Sequence, residues 1–215
     1  NGVQLSQKTG GVINLILGDM DLDNKEEIVV YNGTGIELLK LNNDVIQTVW
    51  TYPKQNERPD ILMLADFNND NYPEIFYQNA YSPSYEEIFD RNGHLILQGN
   101  RVMYSSYNLT NVALADRNNN GKTEIFYSGQ RNVDDRTYLD IREYDNLGNS
   151  FTWTDGAWKP IYFNQRGAHT PIAISDLDGN GKLDLIIAGL GIIEYEGQGK
   201  VYWPFRYHDA QRTNS

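Results

Sequence analysis

An acidic loop of nine residues occurs four times in this chain, each time between two short apolar segments. The copies read DMDLDNKEE, DFNNDNYPE, DRNNNGKTE and DLDGNGKLD, and they begin at Asp19, Asp66, Asp116 and Asp176. The unit therefore repeats roughly every 50 residues, a period typical of propellers, solenoids and other repeat arrays. We expect the fold to consist of similar modules packed together.

Short apolar runs on both sides of every loop predict β-strands. They occupy 12–17, 61–65, 112–115 and 172–174 before the loops, and 28–31, 75–77, 125–127 and 185–187 after them. The runs are too short for helices and are rich in branched residues. A third segment in each copy alternates apolar with charged residues, as a strand with one solvent-exposed face does. These segments lie at 35–41, 85–89, 138–144 and 192–195. Polar turns then lead to an outer fourth strand, such as 45–50.

Four strands per repeat is the strand count of a propeller blade. The sequence therefore predicts an all-β chain, a single β-propeller domain of four-stranded antiparallel blades over residues 1–215. The predicted blades lie at about 11–52, 60–104, 111–158 and 170–210. Four blades form either a small closed ring or, the interpretation we favour, part of a larger propeller. No segment has helical spacing, and no apolar run is long enough to cross a membrane.

Oxygen-bearing side chains occupy the first, third, fifth and ninth positions of every loop. They are Asp19, Asp21, Asp23 and Glu27; Asp66, Asn68, Asp70 and Glu74; Asp116, Asn118, Asn120 and Glu124; and Asp176, Asp178, Asn180 and Asp184. The chain has no cysteine and the loops have no histidine, which favours a hard cation. A flexible set of oxygen ligands favours calcium over magnesium. We therefore expect up to four calcium ions, with the third loop weakest because it keeps only two carboxylates.

The sixth and seventh loop positions support the same interpretation. The sixth residues tolerate a left-handed backbone, and they are Asn24, Asn71, Gly121 and Gly181. Such a turn directs the carbonyl of the seventh residue inward. The seventh residues are Lys25, Tyr72, Lys122 and Lys182. Their varied side chains make sense if only the backbone oxygen binds the ion.

An EF-hand is the obvious competitor, because its loop also presents oxygen ligands at alternate positions. That motif requires a bidentate glutamate at position twelve. The twelfth residues here are Val30, Tyr77, Tyr127 and Ile187, none of which binds a metal through its side chain. An acidic residue at position nine, followed at once by a strand, defines a different loop.

The pattern DxDxDGxxD with a trailing strand resembles the calcium-binding repeats of FG-GAP/VCBS type, which occur in integrin alpha-chain propellers and in many secreted bacterial and fungal proteins. The resemblance extends over all four repeats. It implies a metal ion in the turn between the first and second strands of each blade, held by the residues named above. The chain departs from the pattern where asparagine replaces glycine, at Asn24 and Asn71, and in the third loop.

The strong acidity of the chain is explained largely by these loops. The formal net charge is −11, and the loop positions named above contain twelve carboxylates. Four bound divalent ions would bring the charge to −11 + 8 = −3. The 18 Lys and Arg residues are scattered without a basic stripe, which argues against nucleic-acid binding. Because exposed calcium loops fill reliably outside cells, we expect an extracellular or cell-surface protein.

A binding role is the favoured function class. Aromatic residues make up 12% of the chain, and flat rings stack on sugars and anchor protein interfaces. The candidate ligand-binding residues are Trp153, Trp158, Arg166, His169 and Trp203. Packing between blades is the favoured interpretation of the tryptophans, and a structural role is the favoured one for His169. Tyr31, Tyr77 and Tyr127 occupy matching places and are predicted to be core residues. The expected partners are a glycan, an extracellular protein, or further blades from the parent protein or a second chain.

An enzyme is the alternative. Some relatives of FG-GAP/VCBS type are polysaccharide lyases or sugar dehydratases, so the chain could be a fragment of a carbohydrate-active enzyme. The chain has only three histidines, His94, His169 and His208, and none is near a candidate nucleophile in sequence. A metal would keep the loop carboxylates ionised and unsuited to acid-base work. No catalytic residue is predicted.

Overall fold

The computed structural model describes residues 11–54, 59–79, 85–100, 107–116, 119–131, 136–144, 151–153, 161–166, 172–187, 191–198 and 200–203. The described strands are β1 (Asn14–Gly18), β2 (Glu27–Tyr31), β3 (Gly35–Asn42), β4 (Val45–Pro53), β5 (Pro59–Ala65), β6 (Glu74–Asn79), β7 (Tyr85–Phe89), β8 (Leu95–Asn100), β9 (Tyr107–Asp116), β10 (Glu124–Arg131), β11 (Arg136–Tyr144), β12 (Phe151–Trp153), β13 (Ile161–Arg166), β14 (Ile172–Ser175), β15 (Lys182–Ile187), β16 (Gly191–Gln198) and β17 (Lys200–Trp203). The chain divides into two compact units: residues 1–64 with 72–98, and residues 65–71 with 99–215.

The first two repeats form two four-stranded sheets, with strand orders β1-β2-β3-β4 and β5-β6-β7-β8. Neighbouring strands are antiparallel, for example Ile16 opposite Val29. A two-residue turn joins β3 to β4, and both of its residues, Asn43 and Asp44, have positive φ, at 48° and 64°. Paired positive φ values are the signature of a type I′ hairpin, whose twist matches that of the strands. The polar turn predicted there from sequence is confirmed.

Aromatic contacts join these two sheets face to face in the first unit. The rings of Tyr31 and Tyr77 lie 6.2 Å apart between centroids. Tyr52 meets Phe89 edge-on at 4.7 Å. A side chain at Gly18 would overlap Leu64, so the glycine allows close approach. Tyr31, Tyr77 and Tyr127 have no exposed surface, which confirms that they are core residues.

The second unit contains a six-stranded and a three-stranded sheet. The larger follows the order β12-β11-β10-β9-β17, with β13 also paired to β11, and the smaller follows β14-β15-β16. Strand β17 belongs to the fourth repeat by sequence, but it pairs with β9 of the third repeat, as in Val201 opposite Ala115. The six-stranded sheet therefore contains strands from both the third and the fourth repeat.

The predicted β-propeller of four-stranded blades is wrong, although the all-β prediction is confirmed. The described residues form four separate antiparallel sheets, none of which closes, and only the first two have the strand count of a blade. In the first unit, two sheets stack face to face as in a β-sandwich. The physical reason is that a repeat specifies which strands a module contains, while any apolar sheet face can be buried by simple stacking.

A buried ion pair that the sequence did not indicate lies in the first unit. The Lys54 ammonium is 2.5 Å from the Glu87 carboxylate. Both residues are buried, and Gln98 donates a hydrogen bond to the other Glu87 oxygen at 2.9 Å. The ammonium also lies 5.0 Å from the centroid of the Tyr77 ring. A buried charge is tolerated when paired and hydrogen-bonded in this way.

We predict that Glu87→Gln lowers the free energy of unfolding by about 3 kcal/mol, because it removes a negative charge 2.5 Å from the buried Lys54 ammonium. Urea denaturation of the full chain would measure the loss. Lys25→Met is the control, since Lys25 is 74% exposed and 3.8 Å from Asp23. Loss of that surface pair should cost less than about 1 kcal/mol. Equal effects of the two substitutions would contradict the prediction.

Candidate metal centres

The first aspartate of every loop makes the same hydrogen bonds. One carboxylate oxygen accepts the amide of the fifth residue, and the other accepts the amide of the sixth. In the first loop, Asp19 accepts from Asp23 at 3.0 Å and from Asn24 at 2.9 Å. The equivalent bonds to Asp66 are 3.2 and 3.0 Å, those to Asp116 are 3.0 and 2.8 Å, and those to Asp176 are 3.0 and 2.8 Å. The first aspartate thus folds each loop around its carboxylate.

Two positions in every loop have a left-handed backbone. At the sixth position φ is 66° at Asn24, 71° at Asn71, 83° at Gly121 and 84° at Gly181. This confirms the left-handed turn predicted there. The fourth position is also left-handed, at Leu22, Asn69, Asn119 and Gly179, with φ of 61°, 63°, 55° and 75°. Sequence analysis missed this second turn, although three of the four residues are asparagine or glycine, the types that favour it.

The ninth residue closes the loop by reaching back to its start. Glu27 accepts the amide of Met20, and Asp184 accepts the amide of Leu177, each at 2.9 Å. Both carboxylates are buried. In these two loops, one carboxylate oxygen of the ninth residue therefore accepts the backbone amide of the second residue. The other carboxylate oxygen takes no part in this bond.

Three carboxylates of the fourth loop come together. One oxygen from each of Asp176, Asp178 and Asp184 lies within 4.8 Å of the others. Asp176 follows β14 directly, and Asp184 lies in β15 opposite Ser175. The cluster therefore joins the ends of two neighbouring strands. Three carboxylates at this spacing repel one another, and a hard cation among them would remove the repulsion.

The first loop has a similar cluster of Asp19, Asp21 and Glu27, also within 4.8 Å. Here a side chain from β3 enters the loop. The ammonium of Lys40 is 2.6 Å from Asp21, 2.8 Å from Asp23 and 3.1 Å from Glu27. Hydrogen bonding to the ammonium holds the pKa of Asp23 below its usual value. The same hydrogen bonds, to Asp21 first, raise the pKa of Lys40, which keeps it protonated.

The second loop is divided between the two compact units of the chain. Residues 65–71 and 72–98 fall in different units, so Asp66, Asn68 and Asp70 are described apart from Tyr72 and Glu74. In the third loop, Asn118 lies outside the described residues. The two loops touch within the second unit, where the Thr123 hydroxyl donates to the backbone oxygen of Asp66. Whether the carbonyls of Lys25, Tyr72, Lys122 and Lys182 bind an ion stays a prediction.

Three of the five predicted ligand-binding residues lie in described strands. Trp158 and His169 lie outside the described residues. Trp153 pairs with Arg142 of β11, and Arg166 pairs with Arg136 of the same strand. Trp203 pairs with Leu114 of β9. Trp153 and Arg166 thus lie on the two strands, β12 and β13, that pair with β11 along its length.

Comparisons with known proteins give little further information. No protein-family model matches the chain. No curated protein matches it. Among solved structures, the V. cholerae biofilm matrix protein Bap1 is similar at 20% identity with a TM-score of 0.39, over 90% of this chain and 38% of that protein. This chain therefore spans well under half of that protein's length. At this level of similarity, neither the fold nor the role of Bap1 transfers to this chain.

The described part of the chain contains no helix with the length and hydrophobicity needed to cross a bilayer.

We predict that Leu22→Asn raises the free energy of unfolding by about 1 kcal/mol, because asparagine tolerates the left-handed backbone that leucine occupies at a cost. Leu22 is 46% exposed, so little buried apolar surface is lost. Thermal and urea denaturation would measure the change. Leu177→Asn is a matched control, since Leu177 is 53% exposed and is not among the residues with positive φ. A similar gain at both positions would contradict the backbone explanation.

Proposed function

We propose that this chain is an extracellular binding module in which calcium, bound in the acidic loops, has a structural role. The observation that carries the proposal is the fourth loop, where oxygens of Asp176, Asp178 and Asp184 lie within 4.8 Å of one another. All three offer hard oxygen ligands, and Asn180 adds an amide oxygen nearby in sequence. Calcium accepts six to eight such ligands in flexible geometry.

The location of the cluster supports a structural role for the ion. Asp176 and Asp178 lie just after β14, while Asp184 lies within β15. An ion bound by all three would tie these two strands together at their turn. The first aspartate is already oriented by backbone amides, at 2.8 Å from Gly179 and 2.8 Å from Gly181. Much of the ordering that binding requires is therefore complete before the ion arrives.

The loop chemistry is also the basis for proposing an extracellular location and a relationship to FG-GAP/VCBS-type calcium repeats. That relationship concerns the loops alone. We expect these partly exposed loops to bind calcium in the range of about 10⁻⁴–10⁻³ M that extracellular modules use. Calcium concentrations in that range are maintained outside cells, so the loops would be filled there.

Binding of a glycan or a protein is the proposed activity. Besides Trp153, Arg166 and Trp203, the first unit presents a half-buried group of Tyr72 and Arg91, with the guanidinium 3.5 Å from the ring centroid. The Trp50 indole donates to the Arg91 carbonyl at 2.8 Å and so belongs to the same group. Flat rings beside a guanidinium suit both sugar faces and protein side chains.

Calcium binding is tested by the response of the chelator-treated full chain to calcium. We expect added calcium to raise the melting temperature, with a stabilisation of about 2.7 kcal/mol at one hundred times the dissociation constant. Asp178→Asn should weaken binding and reduce this response. Asp44→Asn is the control, because it removes one exposed aspartate outside the loops. Absence of both a calorimetric heat and a melting shift would contradict the proposal.

Partner binding is tested separately with a glycan array, probed first with calcium and then with chelator. Retention that depends on calcium supports a glycan-binding module. We expect Tyr72→Ala and Trp153→Ala to weaken retention if the rings contact the sugar. Turnover of a polysaccharide would contradict a pure binding role, and no retention on any glycan would leave a protein as the partner to be sought.

A further inference from the structure

A lysine side chain contacts most of the predicted calcium ligands of the first acidic loop. The Lys40 ammonium contacts the third, fifth and ninth residues of that loop, Asp21, Asp23 and Glu27, at 2.6 to 3.1 Å. Glu27 is buried, and the Lys40 side chain is only 26% exposed. These three residues are the same positions that sequence analysis assigns as calcium ligands. The ammonium therefore lies where the ion was expected.

The strand register explains why this lysine reaches the loop. Leu39 of β3 lies opposite Ile28 of β2, so Lys40, the next residue, lies beside Glu27. The side chain thus needs only to extend across one strand spacing to meet the loop. Its position is determined by the backbone pairing of β2 with β3.

The corresponding register position is acidic in the other three repeats. In the second repeat, Phe89 lies opposite Ile75, so Asp90 is the matching residue. In the third, Glu143 lies opposite Glu124. In the fourth, Glu194 lies opposite Asp184. The first repeat is therefore distinguished from the others by a positive charge at this position, where they carry a negative one.

An ammonium and a calcium ion cannot both occupy this loop. Calcium binds oxygen ligands at about 2.3–2.6 Å, which is the space that the Lys40 nitrogen takes among the same carboxylates. Two cations at contact distance would also repel strongly. Calcium could enter only if Lys40 left, and the side chain would then abandon three ionic contacts.

We propose that Lys40 replaces the metal ion of the first loop, so that this loop is closed by the protein's own cation and binds no calcium. The contrast with the fourth loop rests on the proposed function, because it requires that loop to bind calcium. The claim that the first loop binds no calcium stands independently of the proposed function. The chain then binds at most three calcium ions, one fewer than the loop count predicts.

The test is calcium titration of the chelator-treated full chain by isothermal calorimetry. We expect Lys40→Met to bind one more calcium ion than the wild type. Adding Asp21→Asn to Lys40→Met should weaken the gained site about tenfold, because ligand charge sets affinity. Lys25→Met removes one positive charge from the same loop while keeping Lys40, so it should gain no site. An unchanged ion count in Lys40→Met would overturn the inference.

A second arm uses the wild-type background, in case Lys40→Met does not fold without metal. There Asp21→Asn should leave the number of bound calcium ions unchanged, whereas Asp178→Asn should reduce it. A lower count with Asp21→Asn would show that calcium displaces Lys40 and would overturn the inference. If the wild type binds no calcium, the proposed function fails. Lys40→Met alone then tests the inference. One gained calcium ion supports it, and the absence of a gained ion overturns it.

Discussion

Each loop depends on a carboxylate that collects backbone amides. The first aspartate accepts the amides of the fifth and sixth residues in all four copies, and this is achieved with left-handed backbone at the fourth and sixth positions. The same turn brings carboxylate oxygens of Asp19, Asp21 and Glu27 within 4.8 Å of one another in the first loop, and those of Asp176, Asp178 and Asp184 in the fourth. Formation of the hairpin turn therefore also brings the negative charges together. A cation offsets the repulsion within such a cluster, and in the first loop that cation is the Lys40 ammonium.

Sequence reasoning located the loops and their flanking strands because both signals are local. Turn-forming residues, alternating oxygen ligands and short branched runs can be read within one repeat, and β2 begins at Glu27, the ninth position of the first loop. The left-handed backbone at the fourth position was not predicted, because Leu22 is not a residue type that favours positive φ. Asn69, Asn119 and Gly179, at the same position of the other loops, are such types. A search of all four copies for residues tolerant of positive φ would have found it.

The errors arose where the answer depends on pairing between distant segments. Lys40 is one of eighteen cationic residues, and only the register of β3 against β2 places it in the loop. The pairing of β17 with β9 joins segments more than eighty residues apart, which a repeat period does not indicate. The buried contact of Lys54 with Glu87 likewise joins residues that are distant in sequence. The propeller was predicted from the strand content of a module, and strand content does not determine how sheets stack.

Closing a loop with a lysine differs physically from closing it with an ion. Lys40 is attached to the neighbouring strand, so its effective concentration at the loop is high and independent of the calcium around the protein. A bound ion stabilises by an amount that rises with the logarithm of its concentration once that concentration exceeds the dissociation constant. The lysine supplies one charge where calcium supplies two, and it leaves a net negative loop. The first hairpin is thus closed independently of calcium and with less neutralisation, while under the proposed function an ion bound by Asp176 and Asp184 would further stabilise their hairpin wherever calcium is available. Under the proposed function, removal of calcium would leave the closure of the first hairpin unchanged and would lower the stability of the fourth.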